Sequence, residues 1–218
     1  MMKFKGNNLS LRMAFSKKDA TVALLIPAAG NSTRMGKCKM LLRMPNGKSF
    51  LENILFHAQS FCYDKIILVV QKKHLTDVSV LVPDSLKGIT TILINEFPEK
   101  ERLYSIKLGL SSVAEYDYCF IHNSDNPYLN VETLSHLFEH RNTADFITPT
   151  YFGKGGHPVL ITNKLINVIL SSDDNARLNE VLSPFTRQIV KTEDPNILTD
   201  IDSPADYTAF IQQEKLTV

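Results

Sequence analysis

The sequence predicts an α/β fold, a mostly parallel sheet layered between helices, and three observations predict it. Apolar runs at 22–26 and 66–70 are continuous and read as buried parallel strands, and 90–94 and 118–122 read as two further strands. Segments of helical apolar spacing alternate with these runs, the order that right-handed crossovers give a parallel sheet. Two chemically rich loops, one after the first strand and one after the fourth, then share the carboxyl edge of the sheet, where such folds hold ligands.

The first strand, Val22-Ala23-Leu24-Leu25-Ile26, runs into Pro27-Ala28-Ala29-Gly30-Asn31-Ser32-Thr33-Arg34-Met35-Gly36-Lys37-Cys38-Lys39-Met40-Leu41-Leu42. Small residues let backbone N–H groups approach an anion, and the Arg and Lys residues surround it with positive charge. Spacing excludes two familiar phosphate loops. A P-loop has four residues between its glycines and then Lys with Ser or Thr. Here five residues separate Gly30 from Gly36, and Cys38 follows Lys37. The dinucleotide pattern G-x-G-x-x-G is also missing, because only Gly30 stands near the strand end. The stretch therefore reads as a polyphosphate site of another kind.

The next segments alternate as a doubly wound sheet requires. Residues 44–48 form a turn by composition, and Ser49 with Glu52 makes a capping box for a helix whose apolar face is Leu51, Ile54, Leu55 and Ala58. A strand at 66–70, a short helical stretch at 74–80, a turn at 84–88 and a strand at 90–94 follow. The next helix starts at Arg102 and contains Gly109, which costs about 1 kcal/mol against Ala and so implies a close neighbour, the first strand or its loop. The fourth strand, 118–122, ends at Asn123-Ser124-Asp125-Asn126-Pro127. Asp125 reads either as an Asx-turn before a helix capped by Asn130 or as a ligand for Mg²⁺ on phosphates; its place beside the first loop favours the metal.

His136 and His140 share a helix face at zinc-compatible spacing, but without a following Glu or a third ligand they read as surface residues. After a strand at 146–149, the glycine-rich run 151–158 is either a plain hairpin turn or a loop whose Lys154 and His157 meet an anion. A late strand is expected at 188–191. Ser203 and Pro204 then open a final helix as N-cap and first helical residue, which leaves Asp200 and Asp202 without a structural explanation.

Residues 28–42 resemble the signature of nucleotidyltransferases that activate phosphorylated acceptors with an NTP: Ala-Ala-Gly or a Gly-Gly variant, x-Ser-x-Arg-Met-Gly, two residues, Lys and two Leu. The nearest resemblance is to the molybdenum-cofactor cytidylyl- and guanylyltransferases. Three further segments extend it in chain order: Asp125-Asn126-Pro127, where Asn126 replaces the usual Met; Gly156-His157-Pro158-Val159; and Asp200-Ile201-Asp202-Ser203-Pro204-Ala205-Asp206. The resemblance implies a Rossmann-like, nucleotide-diphospho-sugar transferase-like α/β/α sandwich with a mixed sheet. It implies transfer of an NMP, CMP by the Ala-Ala-Gly variant, from an NTP to a phosphorylated small molecule such as molybdopterin, with release of pyrophosphate. By that resemblance Ala28, Ala29, Gly30, Asn31 and Ser32 cradle phosphates, Arg34 holds the leaving pyrophosphate, and Lys39 sits on the α-phosphate. Arg102 and Ser105 contact the nucleotide, and Asp125 with Asp200 or Asp202 holds Mg²⁺.

Gly156, His157, Pro158, Asp173 and Arg177 fall on the acceptor side. Relatives carry Gly-Asp-x-Gly-Ala-Arg where this chain has Ser172 to Arg177, so Asn175 is expected to provide the left-handed turn, and Asp173 with Arg177 makes either an ion pair or an acceptor contact. Pro27 and Arg102-x-x-Ser105 also resemble the branch that acts on methylerythritol phosphate, which keeps a sugar or polyol phosphate as the alternative acceptor. A nucleotide-binding regulator without catalysis and a partner-docking protein are the rivals outside transfer chemistry.

Composition narrows the partners. A net charge of +1 gives no reason to expect nucleic acid or an anionic membrane, and no apolar run reaches the length of a membrane span. Cys38, Cys62 and Cys119 lack metal-ligand spacing and read as reduced thiols of a cytoplasmic protein. Residues 1–20 hold five basic residues against Asp19 and no apolar signal core, so they read as a basic extension, loosely docked rather than targeting, ahead of a nucleotidyltransferase domain at 21–218. The oligomeric state is left open.

Overall fold

A computed structural model describes residues 20–100 and 102–216; apart from Ala20, the basic extension lies outside the described residues. The strands are β1 (Val22–Pro27), β2 (Lys65–Val70), β3 (Thr90–Ile94), β4 (Tyr118–Ile121), β5 (Phe146–Tyr151), β6 (Lys154–Gly155), β7 (Val159–Thr162) and β8 (Arg187–Lys191). The helices are α1 (Phe50–Ala58), α2 (Leu75–Leu81), α3 (Asp84–Lys87), α4 (Arg102–Leu110), α5 (Val131–Glu139), α6 (Asn163–Ser171), α7 (Leu178–Leu182) and α8 (Pro204–Leu216).

All strands join one sheet. β3, β2, β1 and β4 lie side by side and parallel, with β1 between β2 and β4. β7 then pairs antiparallel with both β4 and β5, β6 returns antiparallel to the end of β5, and β8 adds parallel to β5. The sheet is mixed because of β6 and β7 alone. β1 is buried along its whole length, as a central strand covered on both faces must be. Leu24 and Ile26 face the layer of α1, α2, α3 and α5, where they meet residues such as Leu51, Leu55, Val78 and Leu137. Ala23 and Leu25 face α4, α6 and α7 through Ile106, Leu110, Ile169 and Leu182. Each such side chain, fully buried, contributes about 1.5–3 kcal/mol, so the core on both sides is centred on β1.

Four elements depart from expectation. Residues 84–88 turn the chain as a single helical turn, α3, which starts after Pro83 and carries a Lys87–Asp84 pair at 2.6 Å. β7 was hidden as the tail of a glycine-rich loop, because four residues next to Pro158 are too few to show a period. α6 and α7 were likewise unexpected, although Leu165, Ile166 and Ile169 give α6 a buried face at helical spacing.

Gly109 meets the neighbour that its cost implied. A Cβ there would stand 2.2 Å from Leu25 Cδ1 and 3.2 Å from Val69 Cγ2, so the glycine lets α4 sit directly on β1 and β2. α4 carries Arg102 and Ser105 on its first turns, and this close approach brings them to the end of β1.

Candidate active site

The first loop leaves β1 with Ala28 N–H donating to the Val69 carbonyl at 2.8 Å, which keeps the chain on the sheet one residue beyond Pro27. It then folds back at Ser32, whose φ is 47°, and the Ser32 carbonyl accepts from Met35 N–H and Gly36 N–H at 3.1 and 2.9 Å. Gly36 follows at φ 67°, where a side chain would be strained. A short 3₁₀ turn, Lys39–Leu41, buries Met40 against the core and so turns Lys39 toward the sheet edge. The result is a cleft of about 220 Å³ lined by Ala28, Gly30, Ser32, Arg34, Lys39, Arg102, Ser105, Asp125 and Asp202.

Ala29, which is buried, and Asn31, which is exposed, do not line this cleft. Gln71, a buried residue just past β2, donates through Nε2 to the carbonyls of Ala29 and Gly30 at 2.9 and 3.2 Å and to Asn31 Oδ1 at 3.1 Å. Asn31 Nδ2 in turn donates to the Pro98 carbonyl at 3.0 Å. Sequence reasoning missed Gln71, whose only signal is a polar residue ending an apolar strand. Gln71→Leu would strip the buried Ala29 carbonyl of this donor, at a cost of about 1–3 kcal/mol. Urea denaturation is expected to show that loss, and nucleotide titration a weaker affinity from the loosened loop.

The acids come from two segments. Asp125 follows β4, and the wholly buried Asn126 fixes the loop around it: its Oδ1 accepts from Tyr128 N–H at 2.9 Å, and its Nδ2 donates to the Asn196 carbonyl at 2.8 Å. That second bond ties the Asp125 loop to the 3₁₀ turn Pro195–Leu198, directly ahead of Asp200. The replacement of Met by Asn at 126 thus has a structural purpose. Asp200 and Asp202 flank Ile201, which is 2% exposed and packs with Met35 and Phe50. Beyond them Ser203 and Asp206 make a reciprocal cap, Ser203 N–H donating to Asp206 Oδ2 at 2.8 Å and Asp206 N–H to Ser203 Oγ at 3.2 Å. Tyr207 O–H, donating to the Arg43 carbonyl at 2.6 Å, holds α8 beside the first loop.

These elements bring Lys39 between two carboxylates. Its Nζ donates to Asp125 Oδ2 at 3.3 Å and to Asp202 Oδ1, while Arg34 Nη2 lies 2.8 Å from Asp202 Oδ2. Oxygens of Asp125, Asp200 and Asp202 lie within 4.8 Å of one another. Burial alone would lower the Lys39 pKa, but the Asp202 hydrogen bond and the charges of both acids outweigh it and the ammonium ends above its ordinary value. Asp202 is pulled below the usual carboxylate range, first by its Lys39 hydrogen bond. Asp200 goes the other way, raised by desolvation and then by its neighbours Asp125 and Asp202.

The choice that the sequence left open between Asp200 and Asp202 acquires a chemical difference here. Both oxygens of Asp202 are engaged by cationic side chains, whereas Asp125 Oδ1 is buried with no hydrogen-bond partner among the described residues. A buried, unpaired carboxylate oxygen close to a second carboxylate fits a hard divalent cation that takes oxygen ligands.

Arg102 donates to Asn123 Oδ1 and lines both this cleft and a second cavity of about 840 Å³. Gly156, His157 and Arg177 line the second cavity too. A Cβ on Gly156 would stand 2.2 Å from the Ile197 carbonyl oxygen, and His157 N–H donates to that same carbonyl at 3.0 Å, so the glycine-rich loop is docked on the segment that leads to Asp200. Desolvation first, then the Arg102 charge, pushes His157 down to about 4, which keeps it neutral at physiological pH.

Other acceptor-side residues fall elsewhere. Pro158 is buried behind the loop, and Lys154 is exposed on β6. Asp173 makes no ion pair with Arg177 among the described residues; its Oδ1 accepts from Asn175 N–H at 2.7 Å, an Asx-turn that exposes it. Asn175 is not left-handed either, since the described non-glycine residues of positive φ are Ser32 and Phe152. The neighbouring Asp174 anchors the segment instead, through Lys107 at 2.7 Å and Lys100 at 3.2 Å.

Comparison with known proteins gives the family and the fold. The family profile for the MobA-like NTP transferase domain matches residues 24–192. The chain is 25% identical over 198 residues to the molybdenum cofactor cytidylyltransferase of Escherichia coli strain K12, covering 86% of this chain and 94% of that protein. A nucleotidyl transferase from Methanothermobacter thermautotrophicus has a similar structure, with a TM-score of 0.72, 20% identity, and coverage of 92% of this chain and 100% of that one. The manganese complex of Rv0371c from Mycobacterium tuberculosis H37Rv is similar at a TM-score of 0.68, with 16% identity and coverage of 88% and 98%.

Proposed function

The chain belongs to the MobA-like NTP transferase domain family and is a nucleotidyltransferase, and from that premise we propose that it transfers CMP from CTP to the phosphate of a small molybdopterin-like acceptor, with Mg²⁺ as cofactor. The observation that carries this reading is the placement of Lys39 beside Asp125 and Asp202, at the mouth of a loop of small residues. Ala28-Ala29-Gly30 and the similarity to a cytidylyltransferase favour CTP. Among the described residues, no helix is long and apolar enough to cross a membrane. We place the reaction in the cytoplasm, with its nucleotide.

In this reading an acceptor phosphate oxygen bonds to the α-phosphorus, and the bond from that phosphorus to the α–β bridging oxygen breaks. The electron pair leaves with pyrophosphate. The protein has little covalent chemistry to perform and acts by alignment and by placing charge. The Gly30 to Ser32 backbone and Arg34 receive the β- and γ-phosphates. Lys39 moves from its carboxylates onto the α-phosphate, where a preformed cation acts on developing charge. Mg²⁺, for which Asp125 Oδ1 and Asp200 offer oxygens, would neutralise triphosphate charge and polarise the leaving group. Arg102, shared by the two cavities, aligns the acceptor phosphate with the nucleotide.

Calorimetric titration with CTP, GTP, UTP and ATP, with and without Mg²⁺, tests the reading. CTP is expected to bind best and to need Mg²⁺ for full affinity. Equal binding of all four, or binding indifferent to the metal, would defeat it. A sugar or polyol phosphate is the second acceptor reading, and it draws support from Arg102 and Ser105 both lining the nucleotide cleft.

A further inference from the structure

The second cavity has a charge pattern that a single phosphate leaves unexplained. Arg102, Arg177 and Arg187 line it, and among the described residues no carboxylate does. Arg177 and Arg187 form no ion pair among the described residues. Arg187 is also held in place. Its Nε donates to Thr148 Oγ1 at 2.8 Å, and Gly155 leaves room for it, since a Cβ there would lie 2.9 Å from Arg187 Nη2. An arginine kept in one geometry without a carboxylate is an arrangement suited to recognising an anion.

The reacting phosphate does not account for it. That phosphate has to reach the α-phosphorus in the cleft, where Arg102 stands near Asn123, at the end of β4. Arg187 reaches the cavity from the β5 side, with β7 between β5 and β4. Asn123 follows β4 and Thr148 lies on β5, and the two strands are two inter-strand spacings apart, roughly 10 Å, well beyond the span of one phosphate. Between them the lining includes Leu103, Phe146 and Val159, apolar surface suited to the body of a ligand.

We propose that the acceptor carries a second anionic group across an apolar or unsaturated body from its phosphate, and that Arg177 and Arg187 bind that group. The inference rests on the nucleotidyl-transfer reading and narrows its acceptor to molecules that carry a second anionic group besides the phosphate. Arg187 is then a specificity residue: it selects among phosphorylated molecules by their distal charge and takes no part in the transfer.

The test uses two probes that differ only at the far end, 4-biphenylyl phosphate and its 4′-carboxy derivative. Both are titrated into the full chain held with Mg²⁺ and a non-hydrolysable CTP analogue. The carboxylate is expected to tighten binding about tenfold or more in the wild type, in line with a charge-assisted hydrogen bond to arginine. That gain is expected to vanish in Arg187→Gln and to shrink in Arg177→Gln, while Arg187→Gln binds the probe without the carboxylate as the wild type does. No gain from the carboxylate, or a gain that survives in both variants, overturns the proposal. The same proteins are titrated with the CTP analogue alone. Binding of the analogue without a carboxylate effect removes the second-anion inference only, whereas failure to bind it removes the transferase reading on which the inference stands. Arg187 is exposed, so a cooperative melting transition matching the wild type is expected to show that the variant is folded.

Discussion

Lys39→Ala is expected to lower kcat by about 10²–10³-fold, the usual loss when a preorganised charge is removed from the transition state, with a much smaller change in KM for the nucleotide. The side chain is only 14% exposed and is raised in pKa by two acids, so it is a full cation in a poorly solvated place. Cations at Arg34 and Arg102 remain in the variant to bind the nucleotide. What is lost is the charge on the group that reacts. The truncation also leaves Asp125, Asp200 and Asp202 facing one another without the ammonium between them. The free variant is therefore expected to melt somewhat below the wild type and to regain most of the difference when Mg²⁺ is added. Steady-state kinetics and thermal melting check the two statements independently. Loss of any cooperative melting transition would make Lys39 a structural residue. A kcat near wild type would remove it from the chemistry.

The parts of this site that were legible in the sequence are those whose geometry is local. Residues 28–42 contain their own turn, with Ser32 and Gly36 at positive φ and Met40 anchoring the 3₁₀ turn, so the spacing from Gly30 to Lys39 already carries the loop. The Asp-Ile-Asp run was visible as two acids without a capping role. Its meaning was not, because Ile201 had to be seen buried and Lys39 and Arg34 had to be seen on Asp202 before the two acids differed. Contacts that cross the sheet were out of reach for the same reason. Gln71 supports the first loop from 40 positions away, and Asn126 reaches Asn196 across 70. Nothing in a local pattern marks either. The antiparallel β7 was masked because a buried run of four residues has no readable period. Asp173 shows a further limit: the ion pair with Arg177 that the motif allowed is absent among the described residues, and the neighbour Asp174 takes the anchoring contacts through Lys100 and Lys107.

Asp125→Asn is expected to abolish the response to Mg²⁺, in turnover and in melting temperature, with kcat lowered at least as far as in Lys39→Ala. The change keeps the side chain's size and removes the charge from Asp125 Oδ1, a buried carboxylate oxygen with no hydrogen-bond partner among the described residues. A ligand that binds the folded protein raises its stability by mass action, so a melting temperature that no longer rises with Mg²⁺ reports loss of the site directly. Asp200→Asn separates the two remaining acids. The Asp200 pKa is raised in the folded protein, first by desolvation and then by Asp125 and Asp202. An acid whose folded pKa is raised favours the folded state while protonated, and that advantage is lost as pH rises from its unfolded value, 3.8, through the raised one. At neutral pH the ionised Asp200 therefore destabilises the metal-free protein, by a small amount because it is exposed to solvent. Asp200→Asn is accordingly expected to raise the melting temperature slightly without metal at pH 7 and to leave it unchanged near pH 3, while reducing the further rise that Mg²⁺ brings. A variant stabilised in the free form and insensitive to the ion identifies Asp200 as the partner of Asp125. If Mg²⁺ raises the melting temperature of Asp200→Asn as much as that of the wild type, Asp202 holds the metal, and Lys39 and Arg34 have to leave it when the nucleotide binds.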